Sequence, residues 1–209
     1  MFQGMMTEQA ITFSAAGNEG GALDRLSATV KAASASKGPP PVERWNPPFC
    51  GDIDMRIGAD GTWFYNGTPI GRPALVKLFA SILRRDPDRF VLVTPVERVG
   101  IVVEDAPFLA VEMAVEGEGA GRRIAFRTNV DDLAPVDAAH PLRFEKDEDG
   151  GVKPYVLVRG DLWALVTRAL TYDLVELGED REVDGVLTFG VAAGDHFYPI
   201  APAADKTEA

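Results

Sequence analysis

Glu97 is the residue whose placement could do the most chemistry. In the run Val96-Glu97-Arg98-Val99-Gly100-Ile101-Val102-Val103 it shares strand parity with Val99, Ile101 and Val103. A carboxylate on a buried strand face needs a partner or a raised pKa, which makes it a candidate general base or ligand contact. If the strand begins only after Glu97, the side chain reaches water and does neither; the sequence leaves both readings open. Arg72 and Arg159 stand beside Gly71 and Gly160, each ahead of a predicted helix. An arginine with free N–H groups at a helix start can hold a carboxylate or phosphate, although a surface ion pair needs the same residue type. Trp63 and Tyr65 share one strand face beside this turn, with Thr68 just beyond. Aromatics on a strand serve a core more often than a stacking platform. The expected ligand site is therefore Trp63, Tyr65, Thr68 and Arg72, with Glu97 and Arg159, and its ligand a small anion.

Other chemistries are closed by residue count and spacing. His140, His196 and Cys50 are the only histidines and cysteine, too few for a zinc site, so no metal and no cofactor is expected. Cys50-x-Asp52-x-Asp54 could offer oxygens to a hard cation, but alternating acids also describe a solvated strand face. Cys50 itself reads as a small buried hydrophobe. Ser14, Ser27, Ser34, Ser36 and Ser81 sit on no nucleophile elbow. Gly117-Glu118-Gly119-Ala120-Gly121 has the wrong spacing for a dinucleotide loop and reads as a hairpin turn. No residue is assigned a catalytic role.

Elements must position these groups. Ile53, Met55 and Ile57 alternate with polar neighbours as a half-buried strand, Asp60-Gly61 turns, and a return strand runs through Trp63 and Tyr65. Leu75, Leu78, Phe79, Ile82 and Leu83 share a helical face. That helix is predicted to end near Arg84-Arg85-Asp86, with Pro87 as the stop and the arginines on its dipole. Strands follow over about 90–93 and 96–103. Next comes a hairpin with Leu109, Val111, Met113 and Val115 facing in. Setting Val115 opposite Ile124 puts Glu116 opposite Arg123 and Glu112 opposite Arg127, so one register satisfies burial and charge together. Beyond a polar connector, strands over 142–146 and 152–158 flank a turn at Glu148-Asp149-Gly150-Gly151. A helix carrying Leu162, Leu165, Val166, Ala169 and Leu170 through Leu174 to Leu177 leads to strands over about 185–190 and 196–200.

Both halves thus read strand, turn, strand, helix, strand, strand, and both carry Asp-Gly (60–61, 149–150) and Ala-Leu-Val (74–76, 164–166). The fold class expected is α+β: two similar units packed together, mostly antiparallel sheets, with an N-terminal helix. Residues 1–21 read as a disordered polar end, 22–49 as a helix (22–35) and a proline-rich connector, 50–130 and 131–200 as the two units, and 201–209 as a disordered tail. Trp45 in the connector is expected to lie against the body. The 209 residues are 46% hydrophobic and 25% charged, ordinary for a globular chain. Twenty-one basic against 32 acidic residues leave a net charge of −11, which opposes nucleic acid and anionic membranes. With no spanning apolar run, no signal peptide and one cysteine, a cytoplasmic protein is expected.

The runs CGDIDMRI, DGTWFYNGTPI and LVTPVERVGIVVEDAPFLAVEM, followed by FRTN, HPLRF, PYVLVR and YDLVEL, resemble the proteobacterial family catalogued as domain of unknown function 1285. The resemblance spans about residues 39–200. Trp45, Cys50, Gly51, Asp52, Asp54, Trp63, Tyr65, Thr68, Arg72, Thr94, Glu97, Asp105, Thr128, Asn129, Tyr155 and Arg159 match its pattern. It implies an unusual α+β fold with repeated motifs, no established activity, and the suggestion of a part in signal transduction. Three functions follow as expectations. The first is a non-catalytic regulatory or ligand-sensing protein. The second is an enzyme using Glu97 or Asp52 as a carboxylate base. The third is an interaction scaffold that takes a protein partner or a second copy of itself.

Overall fold

A computed structural model describes residues 39–147 and 150–202. The expected disordered end at 1–21, the expected helix at 22–35, residues 148 and 149 of the expected turn and residues 203–209 of the expected tail lie outside the described residues, whereas 201 and 202 continue the last strand. A 3-10 turn, Val42–Arg44, leads into β1 (Phe49–Ile57), β2 (Trp63–Tyr65) and β3 (Thr68–Pro69). Helix α1 (Pro73–Ser81) follows, then β4 (Leu83–Asp86), β5 (Arg89–Val93) and β6 (Arg98–Val103). Strands β7 (Phe108–Glu116), β8 (Arg123–Thr128), β9 (Leu133–Pro135), β10 (Leu142–Lys146), β11 (Val152–Arg159) and β12 (Leu162–Val166) come next. Helix α2 (Arg168–Glu176) and strands β13 (Gly178–Val183), β14 (Val186–Ala193) and β15 (His196–Pro202) complete the described residues.

The fifteen strands of the described residues form five antiparallel meanders of three. Two meanders make each six-stranded sheet, in orders β3-β2-β1-β6-β5-β4 and β10-β11-β12-β7-β8-β9. In both, the first and sixth strands of the set lie parallel at the centre, β1 with β6 and β7 with β12. The remaining meander is a sheet of its own. Hairpin chemistry explains much of this. Asn66-Gly67, Gly160-Asp161 and Asp184-Gly185 are two-residue connections with positive φ at both positions, the geometry that matches strand twist. Buried side chains from both large sheets, both helices and the third sheet form one continuous core, with Met55, Ile57, Trp63, Phe79, Phe108, Phe126 and Leu162 at its centre.

Repetition is present, on a different footing from the one expected. Meander, helix, meander occurs twice, as β1–β3, α1, β4–β6 and as β10–β12, α2, β13–β15. The two large sheets also share one strand order. The tripeptide match is a coincidence: Ala74-Leu75-Val76 is helical, whereas Ala164-Leu165-Val166 is strand. Strands β7–β9 belong to the second sheet, so the sheets divide the chain at Ala106-Pro107 instead of residue 130. With two nine-residue helices among so many strands, the described chain is mostly β.

Three further corrections have local causes. Helix α1 stops at Ser81, whose hydroxyl donates to the Leu78 carbonyl, and residues 83–86 form β4 against β5. Pro87 drives Asp86 toward an extended conformation, so the chain pairs as a strand and Arg84 and Arg85 sit on no helix end. Residues 162–166 are β12, held by β11 on one side and β7 on the other. In β7 the expected hairpin register is present in full from Glu112–Arg127 to Glu116–Arg123. A bulge between Ala110 and Glu112 switches the inward face, however, so Phe108 and Ala110 are buried before it and Met113 packs inward after it.

Candidate functional site

Helix α2 presents two faces. Leu170, Leu174 and Leu177 pack into the core. Arg168, Thr171, Tyr172 and Val175, at spacing i, i+3, i+4, i+7, instead overhang a cleft of about 740 Å³. Its floor is the start of β11 (Val152, Lys153, Pro154) and the end of β12 (Leu165, Val166), and its rim is Asp147 and Gly151 in the β10–β11 turn. The helix is held over this floor by its own start: Thr167 is extended, and the Thr171 hydroxyl donates back to the Thr167 carbonyl at 3.1 Å.

Cations stand over the apolar floor. Arg168 donates from Nε to the Tyr172 hydroxyl at 3.2 Å, a contact that keeps both side chains at the rim. The Lys153 ammonium donates to Asp105, which also accepts the Tyr155 hydroxyl at 2.8 Å. The Asp105 carboxylate raises the Lys153 pKa above the ordinary lysine range. Burial pushes the Tyr155 phenol up as well. Arg143 covers the rings of Tyr155 and Trp163 at 4.8 and 4.4 Å. Asp105 follows the last strand of the first sheet, so this triad ties that sheet to the floor of the cleft.

A raised phenol pKa stabilises the fold below about pH 10, and that contribution is lost as pH climbs through the folded-state value. Tyr155→Phe is therefore expected to lose about 1–3 kcal/mol at pH 8, because its bond to a carboxylate disappears. It is also expected to lose stability less steeply than the wild type above pH 10, with Tyr198, likewise raised by burial, supplying the remaining slope. Urea unfolding at pH 8, 10 and 11 checks this, and parallel alkaline limbs would refute it.

The residues expected as a ligand site do not converge. Trp63 is 1% exposed in the core and stacks on Phe79 at 6.5 Å. Tyr65 is half-buried against the same core, whereas Thr68 lies exposed on edge strand β3. Arg72 is exposed at the start of α1, where its side chain makes no cap hydrogen bond. Glu97 sits in the β5–β6 turn, half-exposed, with its N–H bonded to the Thr94 hydroxyl at 3.1 Å; the strand begins after it. It lies at the opposite end of β1 from Trp63, since Phe49 pairs with Arg98 and Ile57 with Trp63. Arg159 ends β11 and precedes no helix. It donates to the Ala80 carbonyl at 2.8 Å, lies 3.4 Å from Asp132 and covers Phe108 at 5.2 Å. Burial lowers its pKa, and the residue braces α1 against the second sheet. Cys50 is exposed, not buried.

Lys153, Leu165, Arg168, Tyr172 and Val175 were not among the expected site residues. The stripe at 168, 171, 172 and 175 carried the signal, hidden by placing 162–166 in the same helix. Among the described residues no group of three or more His, Cys, Asp or Glu could hold a metal, and no helix is long and apolar enough to cross a membrane.

These observations define a mixed-sheet protein of paired meanders with an open cleft under its second helix. A model of the DUF1285 N-terminal domain of unknown function matches residues 40–106, and one of the C-terminal domain matches residues 107–200. The chain belongs to the DUF1285 family. The join between the two models coincides with the division between the sheets. A crystal structure of a DUF1285 family protein from Silicibacter pomeroyi is similar at 50% identity and a TM-score of 0.77, over 85% of this chain and 95% of that one. Another, from Shewanella baltica, shows 32% identity and a TM-score of 0.48, over 59% of this chain and 91% of that one. No curated protein matches this chain.

Proposed function

We propose that this protein binds a small organic anion in the cleft under α2 without transforming it, and that binding serves a regulatory role in the cytoplasm. The observation that carries the reading is the pairing of an apolar floor with Arg168 and Lys153 in one concave site, the arrangement of a ligand pocket. Asp52 and Glu97, the carboxylates that an enzyme reading would use, are not among the cleft's lining residues. Lys153 ties the cleft to the first sheet through its contact with Asp105. A single cysteine suits a reducing compartment.

A thermal-shift panel of organic acids, nucleotides, cyclic dinucleotides and divalent cations tests the proposal, since binding to the native state alone raises the midpoint by mass action. An organic acid is expected to raise it in a saturable way and to be recovered unchanged by mass spectrometry. Leu165→Trp, which fills the cleft, is expected to remove the response. A ligand recovered as product would overturn the non-catalytic reading, and an unchanged response in Leu165→Trp would overturn the location.

A further inference from the structure

We infer that the anion is a single-chain aliphatic carboxylate of medium length, its tail on the floor of the cleft and its head at Arg168. This rests on the cleft being the binding site. Val152, Pro154, Leu165, Val166 and Val175, five of its eleven lining residues, carry wholly hydrocarbon side chains. Both hydroxyls of the lining are engaged: Thr171 donates to the Thr167 carbonyl, and Tyr172 accepts from Arg168. A ligand body with hydroxyls or ring nitrogens would leave those groups without hydrogen bonds against this surface, at a cost that a hydrocarbon body escapes. A nucleotide is disfavoured on the same ground: the lining offers Tyr172 as its single aromatic face, and that face is at the rim.

The head group follows from the charges. Lys153 is engaged by Asp105, so the cation turned to a ligand is Arg168. Its Nε is held by Tyr172, and the planar fork beyond it can take a carboxylate through two parallel hydrogen bonds. One guanidinium over a hydrocarbon floor asks for one anionic head on one apolar chain. Asp147 on the rim repels a second carboxylate, which separates a monoacid from a diacid.

Isothermal titration of the full chain with butyrate, hexanoate, octanoate and decanoate, each below its micellar concentration, tests this. 1-Decanol, decyl phosphate and inorganic phosphate complete the set. Affinity is expected to rise roughly threefold per added methylene from hexanoate to decanoate. Decanol is expected to bind at least tenfold more weakly than decanoate. Arg168→Ala is expected to erase that difference while leaving the urea midpoint in place, since Arg168 is at the rim. Tighter binding of decyl phosphate than of decanoate would overturn the carboxylate head. Equal binding of butyrate and decanoate would overturn the aliphatic chain yet leave anion binding in the cleft standing. No binding by any of these compounds, with a nucleotide or another acid binding instead, would overturn this inference alone; silence from every anion would overturn both readings.

Discussion

Arg84→Ala is expected to destabilise the protein by about 3–5 kcal/mol, the range for breaking one side of a buried ion pair. In a chain of this length that corresponds to a fall of roughly 10 °C in midpoint. The arginine is 8% exposed on β4. Its Nη1 donates to the Val42 and Trp45 carbonyls at 2.9 and 2.7 Å, and its Nε donates to Asp86 at 2.8 Å. Asp86 also accepts from Arg98 at 2.9 Å. Removing the guanidinium takes a donor from the Trp45 and Val42 carbonyls, leaving Val42 with the Trp45 N–H at 3.2 Å, and leaves Asp86 with one cation fewer. It also unties the proline-rich connector, since these bonds anchor the 3-10 turn on either side of Glu43. Arg84→Lys keeps the charge but cannot reach two carbonyls and a carboxylate from one planar group, so it is expected to recover less than half of the loss. Urea unfolding measures the energy, and acrylamide quenching of Trp45 measures release of the connector. A loss under about 1 kcal/mol with Trp45 still shielded would show that the network contributes only what surface pairs do.

The placement of Arg84 shows what a local reading can and cannot see. The spacing Leu75, Leu78, Phe79, Ile82, Leu83 continues past the end of α1 because Ile82 and Leu83 are core residues of a cap and a strand. Periodicity registers their burial and not the change of backbone. The same ambiguity hides β12: Leu162, Ala164 and Val166 satisfy the strand period, while Leu162, Leu165 and Val166 satisfy the helical one. Five residues are too few to separate the two. The β7–β8 register, by contrast, was legible, because apolar pairing and charge pairing demanded one alignment. What no local pattern carries is the parallel contact of β1 with β6 and β7 with β12, which joins strands far apart in sequence. The cleft depends on such joins. Asp105 reaches Lys153 across 48 positions. The stripe at Arg168, Thr171, Tyr172 and Val175 is visible in the sequence once α2 is known to begin at Arg168, but the floor beneath it is not.

Trp63→Ala is expected to cost about 3–5 kcal/mol, as for other large aromatic truncations in a close-packed interior. Trp63→Phe is expected to cost far less than its lost volume suggests. The indole Nε1–H is buried with no hydrogen-bond partner among the described residues, so the native side chain already carries the penalty of an unsatisfied donor. Phenylalanine removes that donor, keeps an aromatic against Phe79, and gives back part of what the smaller ring loses in contact. The pair of variants also separates a core role from the ligand role that the sequence suggests for Trp63. With the cleft under α2 as the binding site, Trp63→Phe leaves decanoate affinity within twofold of wild type, because no lining residue of the cleft is displaced. A tenfold loss of affinity in a variant that unfolds at the wild-type urea midpoint would return the site to β2. An alanine variant that loses under about 1 kcal/mol would mean that the indole is not packed in a rigid core at all.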